Sequence, residues 1–348
     1  MTKVLYRFLL CFMLAFTTQM AFAQGDLGDA LKGSLKDANY LANGYAAPML
    51  KVMGTGINAG WNNTAKAHKT LGLDLTITVS PVFIPGSDKF YEVDNSKLEN
   101  IQLSQTHTGQ AVAINTGKAS VPTIFGPEEK PRYIFANNVN GVKVPDPTKN
   151  SFQGPPGIDL KKNIGMNALP VPMYHLGIGI YKNTDIKFRF FPQQQFGDSK
   201  VSLFGVGVLH DVKQWIPGIK NLPFDLSAFV GYTKLKYEIA LDQPGQVGQF
   251  DVTGTTIQGL ISKKFSVITF YGGIGYNIAK TNLALKGNYD LDENGSYETK
   301  DPLALSATAN GMRATAGMRL KLAVFTFHGD YTIQKYKTLS VGFGIAIR

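Results

Sequence analysis

Ionisable side chains stand at alternate positions of otherwise apolar runs: Asp74, then Asp185, Lys187 and Arg189, then Arg313, Arg319 and Lys321, then His328 and Asp330. A strand turns successive side chains to opposite faces, so this spacing puts each charge on the face away from its apolar neighbours. Charges gathered on one wall of a pore select or orient a solute. The same residues also make sense as ion pairs that fill a narrow barrel, and the sequence leaves both readings open. A hairpin turning at Leu322–Ala323 is expected to set Thr315 opposite Asp330 and Gly317 opposite His328, with Arg313 and Arg319 diagonal to them.

A second candidate lies at 290–301. Asp290, Asp292, Asn294 and Ser296 alternate as oxygen ligands do in a calcium loop, with Gly295 at its turn and Asp301 where a bidentate Glu is usual. No helix pair flanks it, so the plainer reading is a solvated Asn294–Gly295 turn, and no other cofactor is suggested. Catalytic signatures are missing: there is no Gly-x-Ser-x-Gly, no His-Glu-x-x-His and no phosphate-binding loop. His68, His107, His175, His210 and His328 are scattered, and no enzyme is expected.

Strands must position the charges. Leu71, Leu73, Leu75, Ile77 and Val79 alternate with Gly72, Asp74, Thr76, Thr78 and Ser80. The pattern returns over Met312–Leu322, Phe325–Gln334 and Thr338–Ile347, with further strands near 173–182, 184–192, 200–210, 224–240, 250–264 and 265–280. One or two more are less distinct in 100–136. Bacterial barrels close with even numbers, so the expectation is an all-β antiparallel transmembrane barrel of about 12 strands, with 10–14 allowed. The face opposite the apolar one is crowded with glycines, such as Gly177, Gly179, Gly342 and Gly344, which suits a crowded lumen better than a face in bulk water. A soluble periplasmic ligand-binding β-protein is the alternative, since its strands alternate too.

The first residues read as an export leader. Lys3 and Arg7 precede the apolar run Phe8–Phe16, and Ala21-Phe22-Ala23 marks cleavage near Ala23. The single cysteine, Cys11, leaves with residues 1–23, so neither disulfide nor thiolate metal site is expected in the mature chain. Loss of Lys3 and Arg7 lowers the formal charge from +10 to +8, a basic surface without any nucleic-acid-binding motif. No later segment is long and apolar enough for a helical span, so a membrane location demands a closed sheet.

Residues 24–70 differ from the barrel expected over 71–348. Leu27, Ala30, Leu31, Leu35 and Ala38 have helical spacing within Asp26–Leu41, and Pro48, Gly54, Gly56 and Gly60 then suggest short irregular pieces. This segment is the candidate lumenal plug, with Trp61 as an anchor and Lys66 and His68 reaching lumenal carboxylates. Trp215, in a short connection, is a candidate interfacial anchor at the periplasmic rim.

Three stretches carry a family likeness: Gly60-Trp61-Asn62-Asn63-Thr64-Ala65-Lys66-Ala67-His68, Gln214 to Asp225 including Trp215-Ile216-Pro217-Gly218, and Tyr331-Thr332-Ile333-Gln334-Lys335-Tyr336. The chain resembles an uncharacterised family of outer-membrane β-barrel proteins from Bacteroidota, which implies a fold and a compartment but no activity. It is loosely similar to FadL-type transporters, whose short helical N-terminal segment plugs the barrel; Asn43-Gly44-Tyr45-Ala46-Ala47-Pro48 stands where their Asn-Pro-Ala segment does. The expectation is a channel or transporter for small solutes, hydrophobic ones among the candidates, in a Gram-negative outer membrane, touching lipid and solute but not nucleic acid, of open oligomeric state. A non-transporting structural or surface-binding barrel is the other reading.

Overall fold

Period-two alternation closes into a ring of ten antiparallel strands. The structure, a computed structural model, describes residues 33–241, 243–291 and 294–347, so the expected leader and the start of the expected helix at Asp26 lie outside the described residues. The wall consists of β1 Leu73–Phe83, β2 Ala168–Ile180, β3 Thr184–Phe196, β4 Ser199–Asp211 and β5 Asp225–Ala240. It continues with β6 Val247–Phe265, β7 Ile268–Lys286, β8 Gly311–Leu322, β9 Phe325–Ile333 and β10 Thr338–Ile347. Each pairs with the next and β10 pairs back onto β1, so the main sheet has no open seam. A short strand, Leu303–Thr308, runs beside the upper part of β7 before the chain steps into β8. At that step the Asn310 side chain accepts the Ala279 amide at 3.0 Å.

The count is ten, within the 10–14 allowed and below the twelve favoured. The surplus came from 100–136, whose strands are real but do not enter the wall.

Connections sort by end. Residues 181–183, 212–224, 266–267 and 323–324 join strands at one end, called here the short-turn end, where β1 begins and β10 finishes. Lys182 and Asn183 in the 181–183 connection both take positive φ, which lets the chain reverse within a few residues. The longest connections, 84–167 and 287–302, lie at the opposite, loop end.

Apolar residues point outward. Leu75, Phe190, Ile257, Ile274, Met312 and Ile333 are all exposed, while Asp74, Thr76, Thr78 and Ser80 beside Leu75 are buried. Water-soluble monomers rarely show contiguous apolar patches beyond a few hundred Å², and here the apolar face runs around the ring. That is a lipid-facing belt, and it replaces the soluble alternative. Ile274, 69 % exposed, stands midway along the outward row of β7 between Phe270 and Ile278. Ile274→Lys is therefore expected to destabilise the folded protein in lipid vesicles by about 2–4 kcal/mol, as a cation near the bilayer midplane does. Urea titration in vesicles checks this; a change below about 0.5 kcal/mol, normal for a surface site in water, would count against the belt.

Residues 84–167 fold over the loop end as a cap. Phe90–Asp94 pairs with Lys118–Pro122, and Ile101–Gln105 pairs with Arg132–Val139, which also pairs with Val142–Pro145. Val93, Leu98, Ile101, Leu103, Tyr133 and Phe152 form its core. Hydrogen bonding from Ser96 and the nearby Lys118 ammonium hold the Asp94 carboxyl down at about 2.

One long helix links cap and barrel. Helix α1 spans Leu35–Gly56, capped by Ser34, whose hydroxyl accepts the Asp37 amide at 3.0 Å. It runs straight through Pro48, where the sequence suggests a break. The ring of a helical proline crowds the carbonyl four residues back, here that of Gly44. Burial of Met49, Leu50, Val52 and Met53 on the far side of Pro48 outweighs that cost.

Candidate functional site

The lumen holds the N-terminal segment along its length, and its two halves differ chemically. Toward the loop end α1 fills the barrel: Met49, Leu50, Val52 and Ile57 pack against Val82, Val171, Met173, Phe250, Val252 and Leu305 from the wall. The lumen is thus apolar there, a correction to the uniformly polar interior that strand alternation suggests. In this half the inward positions are apolar too, as at Val171, Met173, Phe250 and Val252. Toward the short-turn end the filling is an extended stretch, residues 57–69, and the wall becomes polar.

Two arginines grip that stretch from opposite sides of the ring. Arg189 on β3 is fully buried, with its guanidinium carbon 3.7 Å from the Trp61 ring centroid. Its Nη1 donates to the Ile57 carbonyl at 2.5 Å and its Nη2 donates to the Ala59 carbonyl. On β8, Arg313 Nη1 donates to the Asn58 carbonyl at 2.9 Å. Three consecutive carbonyls are therefore held by cations. Among the described residues neither arginine has a carboxylate at ion-pair distance, so the plug's own carbonyls stand in for a counter-ion.

The remaining wall charges lock the rest of the segment. Lys187 Nζ donates to Asn62 Oδ1 at 2.8 Å and to the Trp61 carbonyl at 3.3 Å. The Asp185 carboxylate accepts both the His68 amide and the His68 Nδ1–H, each at 2.8 Å. Arg319 Nη2 donates to Asp74 Oδ2 at 2.9 Å, and the His68 ring lies 3.8 Å from the same oxygen. His328 Nε2 sits 3.3 Å from the Thr78 hydroxyl, and Asp330 accepts the Tyr271 hydroxyl at 2.9 Å. Lys321 is only half-buried near the rim, and Lys66 is exposed, so neither joins the cluster.

Trp61 is buried in the polar half. Its ring packs 5.3 Å from that of Phe229 and, with Ala65, Leu209 and Leu260, forms a small apolar island in the polar half. The wall glycines make room for this: a Cβ on Gly231 would come within 2.9 Å of Trp61, and one on Gly179 within 2.2 Å of the Lys69 carbonyl.

The register of the β8–β9 hairpin corrects the expected one by two residues. Leu322 pairs with Phe325 across a tight turn at Ala323 and Val324, with Ala323 at φ 53°. Gly317 therefore faces Asp330 and Thr315 faces Thr332, and Arg319 stands directly opposite His328.

Several participants were not singled out from the sequence. His175 accepts Arg189 Nε at 3.2 Å through Nδ1, which in the neutral ring leaves the proton on Nε2. Thr256 donates to the Asn58 carbonyl at 3.3 Å, and Ser262 Oγ accepts the Ala65 amide at 3.1 Å. All three sit at inward positions of recognised strands, so strand parity marked them, but single polar side chains among many gave no reason to choose them.

The described members of the 290–301 set bind backbone amides and one lysine. Asp290 accepts the amides of Asn294 and Gly295, while Asn294 accepts that of Ser296. Asp301 takes Lys286 Nζ at 3.0 Å and the Gly287 amide at 2.9 Å. Asp292 lies outside the described residues. Among the described residues no group of three or more His, Cys, Asp or Glu is placed to hold a metal ion. Trp215 is exposed at the short-turn end, its Nε1 donating to His210 Nε2 at 2.8 Å.

Comparison with solved structures returns membrane barrels at low identity. Ail of Yersinia pestis is 10% identical over 47% of this chain and 93% of its own, with a TM-score of 0.24. The translocator domain of the autotransporter NalP from Neisseria meningitidis is 10% identical over 81% of this chain and 90% of its own, at 0.25. The toluene transporter TodX of Pseudomonas putida is 8% identical over 81% of this chain and 74% of its own, at 0.20. No curated protein matches the sequence. One family model matches residues 1–347, and the chain belongs to that family, the family of unknown function DUF6588.

Proposed function

We propose that the protein is an outer-membrane barrel that passes small solutes only when its N-terminal segment yields. The observation that carries this is the grip of Arg189 and Arg313 on the carbonyls of Ile57, Asn58 and Ala59. A lumen meant only as a structural core would be closed most simply by apolar packing, as its loop-end half is. Hydrogen bonds between a wall and a backbone segment can instead be exchanged for water or for a polar solute. The apolar half beyond suits solutes of some hydrophobicity, and no catalytic step is part of the reading. The leader ending near Ala23 and the likeness to Bacteroidota outer-membrane proteins support a Gram-negative outer membrane. In planar bilayers the intact protein is expected to stay closed, and deletion of residues 24–60 to give steady conductance. Heat-modifiable migration in detergent gels verifies that the deleted form still closes its barrel; a silent, folded deletion variant would sink the gating idea.

Barrels of this class place long loops outside and short turns on the periplasmic side. The start of α1 sits at the loop end, with Asn39 Nδ2 donating to the Pro302 carbonyl at 3.1 Å. Lys36 then faces the cell exterior and Lys220 the periplasm. A membrane-impermeant maleimide is expected to label Lys36→Cys in intact cells and Lys220→Cys only after permeabilisation. The opposite pattern would invert the barrel.

A second reading has its own support in the cap, whose separate sheets and core are more than a passive loop requires. If liposomes show no solute flux with or without residues 24–60, the barrel is a scaffold that presents residues 84–167 to partners.

A further inference from the structure

The outward face of the barrel is chemically lopsided. Outward positions on β1, β2, β8, β9 and β10 carry no charge. On β5, β6 and β7, which run 16 to 19 residues, the belt ends at Tyr232 and Ile278 and the next outward residues are Lys234 and Lys280. Thr253 pairs with both lysines in register, so they flank it in one row. Strands about 4.8 Å apart put their backbones roughly 10 Å from each other, within reach of two flexible arms closing on one anion. No acid shares that row. In the next row up Lys236 faces Asp251, and Glu238 lies beyond, so charge is balanced there and not below.

We propose that Lys234 and Lys280 bind the phosphomonoester headgroup of a glycolipid in the loop-side leaflet, whose acyl chains lie against Tyr232, Ile257 and Ile278. Two ammonium groups match the two charges of a phosphomonoester, whereas a phosphodiester headgroup carries one. The apolar surface directly below is continuous with the belt, which favours an amphiphile over a free phosphate. Basic residues at a membrane surface each contribute measurably to such binding. The inference rests on the barrel spanning a membrane and not on its conducting.

Purified full-length protein in detergent, titrated with diphosphoryl lipid A and followed by native mass spectrometry, tests it. Wild type is expected to bind, and Lys234→Ala/Lys280→Ala to bind roughly thirtyfold more weakly. Lys263→Ala, at the short-turn rim, is expected to bind as wild type does. Lys234→Gln/Lys280→Gln keeps a polar side chain without the charge and repeats the measurement should the alanine pair fail to fold, as heat-modifiable migration would reveal. Equal binding by the double variant, or phosphatidylglycerol binding as tightly as lipid A, would overturn the assignment.

Discussion

Arg189→Ala is expected to turn a silent barrel into one with frequent openings. The guanidinium holds the carbonyls of Ile57 and Ala59 and stacks on Trp61, so its removal frees the point where the segment leaves α1 and enters the polar half. Each hydrogen bond to a charged group is worth about 1.5–3 kcal/mol, and two carbonyls would be left in a buried site without a donor. Against this stands the desolvation of a buried cation lacking a carboxylate, a cost of several kcal/mol that the variant no longer bears. The two effects nearly cancel in global stability but not in the plug, whose seated position alone makes those bonds. The open fraction should rise roughly ten- to hundredfold while the unfolding midpoint moves little. Arg189→Lys keeps the charge but not the fork that spans two carbonyls, so it should behave more like alanine than like wild type. Single-channel recording separates the outcomes: a variant as quiet as wild type, with its heat-modifiable band intact, would show that the arginine grip does not set the gate.

The wall was legible in the sequence because lipid outside and a crowded interior leave a strict period of two. Leu75 and Asp74, or Phe327 and His328, cannot exchange faces without losing both environments. Parity placed Asp74, Asp185, Lys187, Arg189, Arg313, Arg319, His328 and Asp330 inside the barrel. It could not say what they touch, because Asp185, Lys187, Arg189 and Arg313 bond backbone atoms of residues 57–68, and a backbone atom has no signature in sequence. The register of the β8–β9 hairpin departs from the expected one for a local reason: its turn places Ala323, a residue with no turn preference, at positive φ. The cap was missed since its strands are only two to eight residues long and take their core partly from α1 through Ala38 and Leu41. The course of α1 through Pro48 was hidden in the same way. A weak local signal prevails there because tertiary packing supplies what propensity lacks.

Asp37→Ala should have the other large effect, and on a different part of the molecule. The Asp37 side chain is buried in the first turn of α1, where its carboxylate accepts the amides of Glu99 at 2.7 Å, Asn100 at 2.7 Å and Ile101 at 3.0 Å. Negative charge is favoured at a helix N-terminus, and hydrogen bonds to a carboxylate are about twice as strong as neutral ones. Alanine would leave three amides without an acceptor at about 1–2 kcal/mol each, since two of them are only part-buried, so a loss of roughly 3–6 kcal/mol in docking of the cap is expected. Limited proteolysis of the detergent-solubilised protein should then cut within 84–167 much faster, while β1 to β10 stay protected. Asp37→Asn retains one carbonyl acceptor and should fall between the two. Because α1 is one helix from Leu35 to Gly56 and Arg189 takes hold at Ile57, loosening its start also removes a restraint on its end. Asp37→Ala combined with Arg189→Ala should therefore open the barrel more than the separate effects combined, the non-additivity of sites that share one rigid element. Strict additivity would mean that cap and plug are held independently, and equal protease rates in wild type and Asp37→Ala would remove the cap from the mechanism altogether.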